Sequence, residues 1–285
     1  YLHNMRAFIF TILLFVGCLG FSQINTPRFS PSTEIKQMVG LTEIEVKYSR
    51  PSMRGREIFG NLVPYDKIWR TGADNSTKIS FTTDVIVDGK TIKAGTYSIF
   101  SIPNQNEWTV MFYSDVELWG VPRDWSDDKI VFSSTYKVNK INPVETFTIS
   151  FNDLTNNDVN MSISWENSSV DVKIEVPTRS MVEKDISNVL NDNPKASDYY
   201  AAAVFYRQEN INLSQALLWM NKAIEMFENP RFYHYRQQSL LMAANNKFSE
   251  AIDAANKSLN DAIKADNQGY VKMNRQSIAE WSKKL

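Results

Sequence analysis

The sequence predicts an all-β antiparallel sandwich of about 8–10 strands followed by a small all-α helical-repeat domain. Three observations carry this. From Glu34 to Val176 apolar residues recur at every second position. Turn signals punctuate that stretch, the strongest being Asp88-Gly89. After Pro177 the apolar spacing changes to three and four. The divisions that follow are residues 1–22 for upstream residues and a leader, 23–179 for the sandwich and 180–285 for the helical domain.

Tyr1 to Asn4 read as lying upstream of a natural start at Met5. Met5-Arg6 precedes an apolar run, Ala7 to Leu19, and then Gly20-Phe21-Ser22-Gln23. One cation, an apolar core of about a dozen residues and small residues before the junction form a secretory signal peptide cut between Ser22 and Gln23. The run falls short of the about 20 residues that span a bilayer. Lipoprotein processing at Cys18 is the second reading of the same segment. Export to a bacterial periplasm or cell envelope is therefore expected, with no membrane span in the mature chain.

The strands follow in order. Ile44, Val46 and Tyr48 alternate with charged neighbours; Ile79 and Phe81, then Tyr97 and Ile99, continue the pattern. Trp108, Val110 and Phe112 form another set, as do Phe147, Ile149 and Phe151. Val85 to Ile92 reads as a hairpin, because a type I′ turn needs two positive φ angles and Asp-Gly supplies them. Met161, Ile163 and Trp165 form one strand and Val170, Val172, Ile174 and Val176 the next, with Asn167-Ser168-Ser169 read as a tight turn between them.

Beyond Pro177, Met181 to Leu190 can form a helix, and Asn191-Asp192-Asn193-Pro194 and Asn229-Pro230 mark helix limits. Ala216 and Ala251, Ala223 and Ser258, and Tyr200, Tyr235 and Tyr270 are spaced by 35 residues. That interval resembles the tetratricopeptide repeat, two helices per unit with small residues at the crossings. It implies either simple helix packing or a face for a protein partner.

Composition limits the chemistry. The 285 residues include 31 basic and 32 acidic ones, which leaves no basic excess for nucleic acid. Cys18 is the single cysteine, and His234 is the single histidine beyond the leader. A disulfide, a thiol nucleophile, a histidine-based metal site and a Ser-His-Asp triad are all hard to build from this. No cofactor and no metal are expected. Asp124, Asp127 and Asp128 could approach calcium, but the glycine and glutamate of an EF-hand loop are missing.

Two segments concentrate unusual side chains. Tyr48 to Gly60 (YSRPSMRGREIFG) places Arg50, Arg54 and Arg56 beside Pro51 and Gly55. Guanidinium forks there can grip an anion; equally, Arg50 and Arg56 can tie loops together through carbonyls. Lys67 to Thr77 (KIWRTGADNST) joins Trp69, Arg70, Gly72, Asp74 and Asn75. These residues suit a small polar ligand or a glycan. The structural alternative has Trp69 plugging one end of the sandwich and Gly72 supplying a positive φ. Arg50, Arg56, Trp69, Arg70 and Asn75 are the candidate ligand-binding residues, and no catalytic residue is assigned.

These stretches together resemble a secreted bacterial domain of unknown function, number 2911, widespread in Bacteroidetes. The likeness lies in Tyr48–Phe81, Ala94–Pro103 (AGTYSIFSIP), Glu107–Phe112 (EWTVMF) and Trp119-Gly120. It implies export and a β-rich domain, and supplies no catalytic residues. Where the family pattern carries a tyrosine and then an aspartate followed by an arginine, this chain has Trp125 and Asp128 with no arginine after them. The function expected is a non-catalytic binding or scaffolding module. The alternatives are a carboxylate-dependent hydrolase of glycans and a protein–protein adaptor acting through the helical tail.

Overall fold

A computed structural model describes residues 26–285. The leader expected over Met5–Ser22, with Cys18, lies outside the described residues. The chain divides into two compact units, one ending at Pro177 and the other covering Thr178–Leu285.

The first unit is built from two open antiparallel sheets packed face to face in a sandwich-like arrangement. Its strands are β1 (Ser32–Val39), β2 (Thr42–Ser49), β3 (Thr77–Phe81), β4 (Val85–Val87), β5 (Lys90–Ile92), β6 (Gly95–Pro103), β7 (Glu107–Tyr113), β8 (Ile130–Lys137), β9 (Asn139–Asn152) and β10 (Asp158–Glu175). One sheet runs β1-β2-β3-β6-β7-β8 and the other β5-β4-β10-β9. The alternation in the sequence becomes the core. Ile44, Val46, Ile79, Ile99, Val110 and Phe112 meet Phe147, Ile149, Ile163, Trp165 and Val172 in one buried cluster. The β4–β5 hairpin turns on Asp88 (φ 46°) and Gly89 (φ 75°), the two positive angles its sequence demands.

One element differs from expectation. Asn167-Ser168-Ser169 is not a turn; β10 continues through it as a single strand of 18 residues. Its pairing with β9 shifts register on both sides of Glu166, whose φ is 52°. This is a β-bulge, in which one strand carries more residues than its partner; here β9 runs from Thr148 to Val144 and on to Lys140 while β10 runs only from Ser164 to Glu166 and on to Ser168. The buried apolar positions are odd-numbered up to Trp165 and even-numbered from Val170. A turn and a bulge produce the same parity change in sequence. The bulge prevails because β9 is long enough to pair with both halves, from Asn160 opposite Asn152 to Ser169 opposite Asn139. The bulge also aims the Glu166 carboxylate at the backbone N–H groups of Ile58 (3.2 Å) and Phe59 (3.4 Å), which lie in the loop after β2.

A smaller apolar layer covers the outer face of the six-stranded sheet. Phe100, Met111 and Tyr113 point outward there and are roofed by the segment between β7 and β8 through Leu118 and Trp125.

The second unit comprises α1 (Thr178–Leu190), α2 (Ala196–Gln208), α3 (Leu213–Met226), α4 (Phe232–Ala244), α5 (Phe248–Lys264) and α6 (Gln268–Trp281). Ala216, Ala223, Ala251 and Ser258, the small residues that recur in the sequence, are all fully buried. Among the described residues no helix is long and apolar enough to cross a membrane.

Candidate ligand-binding cleft

The arginine loop after β2 is held by its own side chains. Arg50 donates through Nε to the Phe147 carbonyl (3.0 Å) and through Nη2 to the Thr148 hydroxyl (2.7 Å). It thereby ties the end of β2 to β9, across the two sheets. Arg56 donates to the carbonyls of Met53 (2.9 Å) and Ser52 (2.7 Å), closing the loop on itself. Arg54 donates to the Phe29 carbonyl (3.1 Å) and lies 5.0 Å from the centre of the Phe29 ring. That contact fixes the segment that leads into β1.

Trp69 belongs to the core. It is 9% exposed, its Nε1–H donates to the Gly72 carbonyl (3.0 Å), and its backbone pairs with Ser101 of β6. Its ring stacks on Trp165 at 6.0 Å and meets Phe59, Trp108 and Phe147 edge-on. Such aromatic contacts add about 0.5–1.5 kcal/mol each to the effect of area burial. The chain after Trp69 then turns sharply, with Thr71 at φ 51°, Gly72 at 152° and Asp74 at 58°. Gly72 is required at that point: an added Cβ would stand 2.9 Å from Thr77 Oγ1 and 3.2 Å from the Ser49 carbonyl. Arg70 reaches under this turn, donating from Nη1 to the Asp74 carbonyl (2.8 Å). The result is a turn whose tip, Asp74-Asn75, is presented outward while Trp69 and Arg70 hold its base.

The segment after β7 docks against that tip. Asn75 and Trp119 form an isolated antiparallel bridge. The Ser76 N–H donates to the Leu118 carbonyl (2.9 Å), and Lys78 pairs with Glu117 (2.6 Å). Gly120, at φ 83°, lies against the Arg70 guanidinium, where an added Cβ would be 3.1 Å from Nη1. The two tryptophans of this segment part company. Trp125 stacks on Tyr113 at 4.5 Å and its Nε1–H donates to Asp127 (2.8 Å). Trp119 is 73% exposed.

Clefts surround the Asp74-Asn75 tip. The largest, about 440 Å³, has Glu34, Lys47, Asp74, Asn75 and Lys78 in its wall. A second of about 340 Å³ lies between Pro27, Phe29, Asp74 and Trp119. A third of about 140 Å³ lies between Asn75, Lys78, Glu117 and Trp119. Of the five candidate residues, Asn75 lines two of these clefts, whereas Arg50, Arg56, Trp69 and Arg70 line none of the three and bond carbonyls and a hydroxyl of the protein. The structure thus brings Asn75 together with Asp74 and Trp119, and not with the two loop arginines. In the sequence Trp119 stands out only through the Trp119-Gly120 pair. Its exposure depends on the bridge to Asn75, which alternation does not encode.

The electrostatics of the neighbouring face are those of paired surface charges. Glu45 lies between Lys36 (2.8 Å) and Lys47 (2.7 Å), whose hydrogen bonds hold its pKa down to about 2. Asp84, bonded to Lys93 and to the Ala94 N–H, is also held below the usual carboxylate value. The single described histidine, His234, sits at the start of α4 in the helical unit. It is buried, its Nδ1 accepts from the Arg231 N–H (3.0 Å), and its ring stacks on Phe227 at 4.1 Å. Burial, and then the nearby Arg231, keep its pKa below the ordinary imidazole value. Among the described residues no cluster of three or more His, Cys, Asp or Glu side chains could hold a metal ion.

A family model described as a protein of unknown function (DUF2911) matches residues 30–174. No curated protein and no solved structure matches the chain.

Proposed function

The chain belongs to the DUF2911 family, and from the cleft just described we propose that its β-unit is a non-catalytic module that binds a small polar ligand. The observation that carries this is the outward tip Asp74-Asn75, held rigid from below by Trp69 and Arg70 and bordered by a cleft of about 440 Å³. Binding sites of this kind combine a concave surface with a few fixed polar groups. Residues 26–177 hold neither histidine nor cysteine. Cleavage of a glycan would need one carboxyl kept protonated near neutral pH. Glu45, beside the cleft, and Asp84 are instead held below the usual carboxylate value by their lysine partners. Binding without cleavage is the reading these observations favour.

Export to the periplasm or cell envelope is part of the same proposal, supported by the pattern from Met5 to Ser22. A second, independent reading concerns the helical unit: a tetratricopeptide-like array that meets a protein partner, supported by the 35-residue recurrence of small buried residues.

The test is thermal-shift titration of the full chain against a library of charged and neutral polar small molecules. At least one is expected to raise the melting temperature by mass action, and Asn75→Ala, at an exposed position, should remove that shift. A library without a single stabilising compound would overturn the proposal.

A further inference from the structure

We infer that the cleft beside Asp74-Asn75 takes a neutral oligosaccharide, with Trp119 as its stacking platform. This rests on the reading of the β-unit as a ligand-binding module and adds the class of ligand.

The first observation is the platform. Trp119 leaves 73% of its surface to solvent, yet it is not a loose side chain on a free loop. Its backbone is paired with Asn75, its preceding carbonyl accepts the Ser76 N–H, and Gly120 after it rests on Arg70. The backbone that carries this flat apolar face is thus anchored, so binding against it orders one side chain and not a whole loop. The apolar CH face of a pyranose ring is a natural partner for such a surface.

The second observation is the polar edge. Among the described residues, neither the Asp74 carboxylate nor the Asn75 amide bonds another group; the Asp74 contact to Arg70 uses its backbone carbonyl. A carboxylate accepts from hydroxyls, and a primary amide both donates and accepts. Together they match vicinal hydroxyls on a ring that lies across Trp119.

The third observation is charge. The three clefts carry Arg28, Lys47 and Lys78 against Glu34, Asp74 and Glu117. Lys78 is already paired with Glu117 at 2.6 Å, and Lys47 with Glu45 at 2.7 Å and Glu34 at 3.4 Å. An anion would find two of the three cations engaged, and a cation would find three of its own sign. The balance suits an uncharged ligand with many hydroxyls.

The fourth observation is length. Asp74 lines the first and second clefts, Asn75 the first and third, and Trp119 the second and third. The clefts therefore adjoin around one tip and offer room for several linked rings.

The experiment is isothermal titration calorimetry of the full chain with six neutral hexasaccharides: malto-, cello-, laminari-, xylo-, manno- and chito-oligomers. At least one should bind with a Kd below about 1 mM. Trp119→Ala should weaken that binding about tenfold or more, ~1.4 kcal/mol, with an unchanged melting temperature. Asp74→Asn, which keeps a residue tolerant of positive φ, should weaken it several-fold. Inorganic phosphate, glutamate and putrescine are titrated alongside. If one of these binds in an Asn75-dependent way and no hexasaccharide does, the sugar inference falls while the binding module stands. If nothing binds, the sugar inference falls, and the binding module falls with it when the polar library gives no thermal shift either. Binding of a hexasaccharide that Trp119→Ala leaves intact also overturns the inference.

Discussion

Asn75 and Trp119 face each other across an isolated antiparallel bridge, which joins the tip of the turn after Trp69 to the segment after β7. Two tryptophans are thereby given opposite tasks. Trp69 lies beneath the turn in the core, and Trp119 stands beside it in solvent.

That contrast is measurable. Trp69→Ala removes a ring in contact with Phe59, Trp108, Phe147 and Trp165 and leaves a cavity. It should destabilise the β-unit by about 3–5 kcal/mol. Trp119→Ala should stay within about 0.5 kcal/mol of the parent. Urea denaturation followed by β-sheet circular dichroism separates the two; equal losses would contradict the burial assigned to Trp69.

Gly72→Ala should destabilise the same unit by about 1–3 kcal/mol. The new methyl would need both a φ near 152° and space now filled by Thr77 Oγ1 and the Ser49 carbonyl. Neither neighbour can yield easily, since Thr77 Oγ1 itself donates to the Thr71 carbonyl (2.5 Å). A variant as stable as the parent in the same denaturation would show that the turn tolerates a side chain.

Arg50 is a tie between sheets, so its loss should appear as stability and not as charge. Arg50→Ala removes the bonds to Phe147 and Thr148 and should cost about 1.5–3 kcal/mol. Arg50→Lys, which lacks the planar fork, should restore only part of it. An anion site would behave differently: adding phosphate or sulfate would stabilise the parent and leave both variants unmoved.

His234 makes the helical unit sensitive to acid. Its folded pKa lies below the ordinary 6.5 because burial disfavours the imidazolium, and Arg231 adds to this. Near and below that value the unfolded chain binds more protons than the folded one. Stability is therefore full above pH 6.5 and falls as the pH drops toward the folded pKa. Helix melting at 222 nm should occur at lower temperature at about pH 5.5 than at about pH 7.5. His234→Gln should shrink that difference; an unchanged difference would assign the effect to other groups.

The sequence made the sheets and the helices legible because both rest on periodicity, which is local. Asp88-Gly89 fixed its hairpin in the same way, through two φ angles that few other pairs adopt. The candidate site was only partly legible. Asn75 could be singled out, but whether Trp69, Trp119 or Trp125 is the displayed ring depends on which strands pair, and that is set by contacts distant in sequence. Trp69, whose backbone pairs with Ser101, is buried among the aromatic rings of the core, and Trp119, whose backbone pairs with Asn75, is exposed. The arginines show the same limit. A guanidinium bonded to carbonyls and one bonded to an anion read identically until the accepting carbonyls, those of Phe147 and Met53, are placed.

The register break around Glu166 also sets how the gene can tolerate change in length. Loops between separate strands can absorb a lost codon, because each strand keeps its own phase. In β10 the two halves share one backbone, and the short span from Glu166 to Ser169 separates inward apolar residues at odd numbers from those at even numbers. Deleting a single residue between Trp165 and Val170 would carry Val170, Val172, Ile174 and Val176 to the outside and turn Asp171, Lys173 and Glu175 inward. A deletion there acts on the side chains much as a frameshift acts on codons, which makes this short span unforgiving of a length variant.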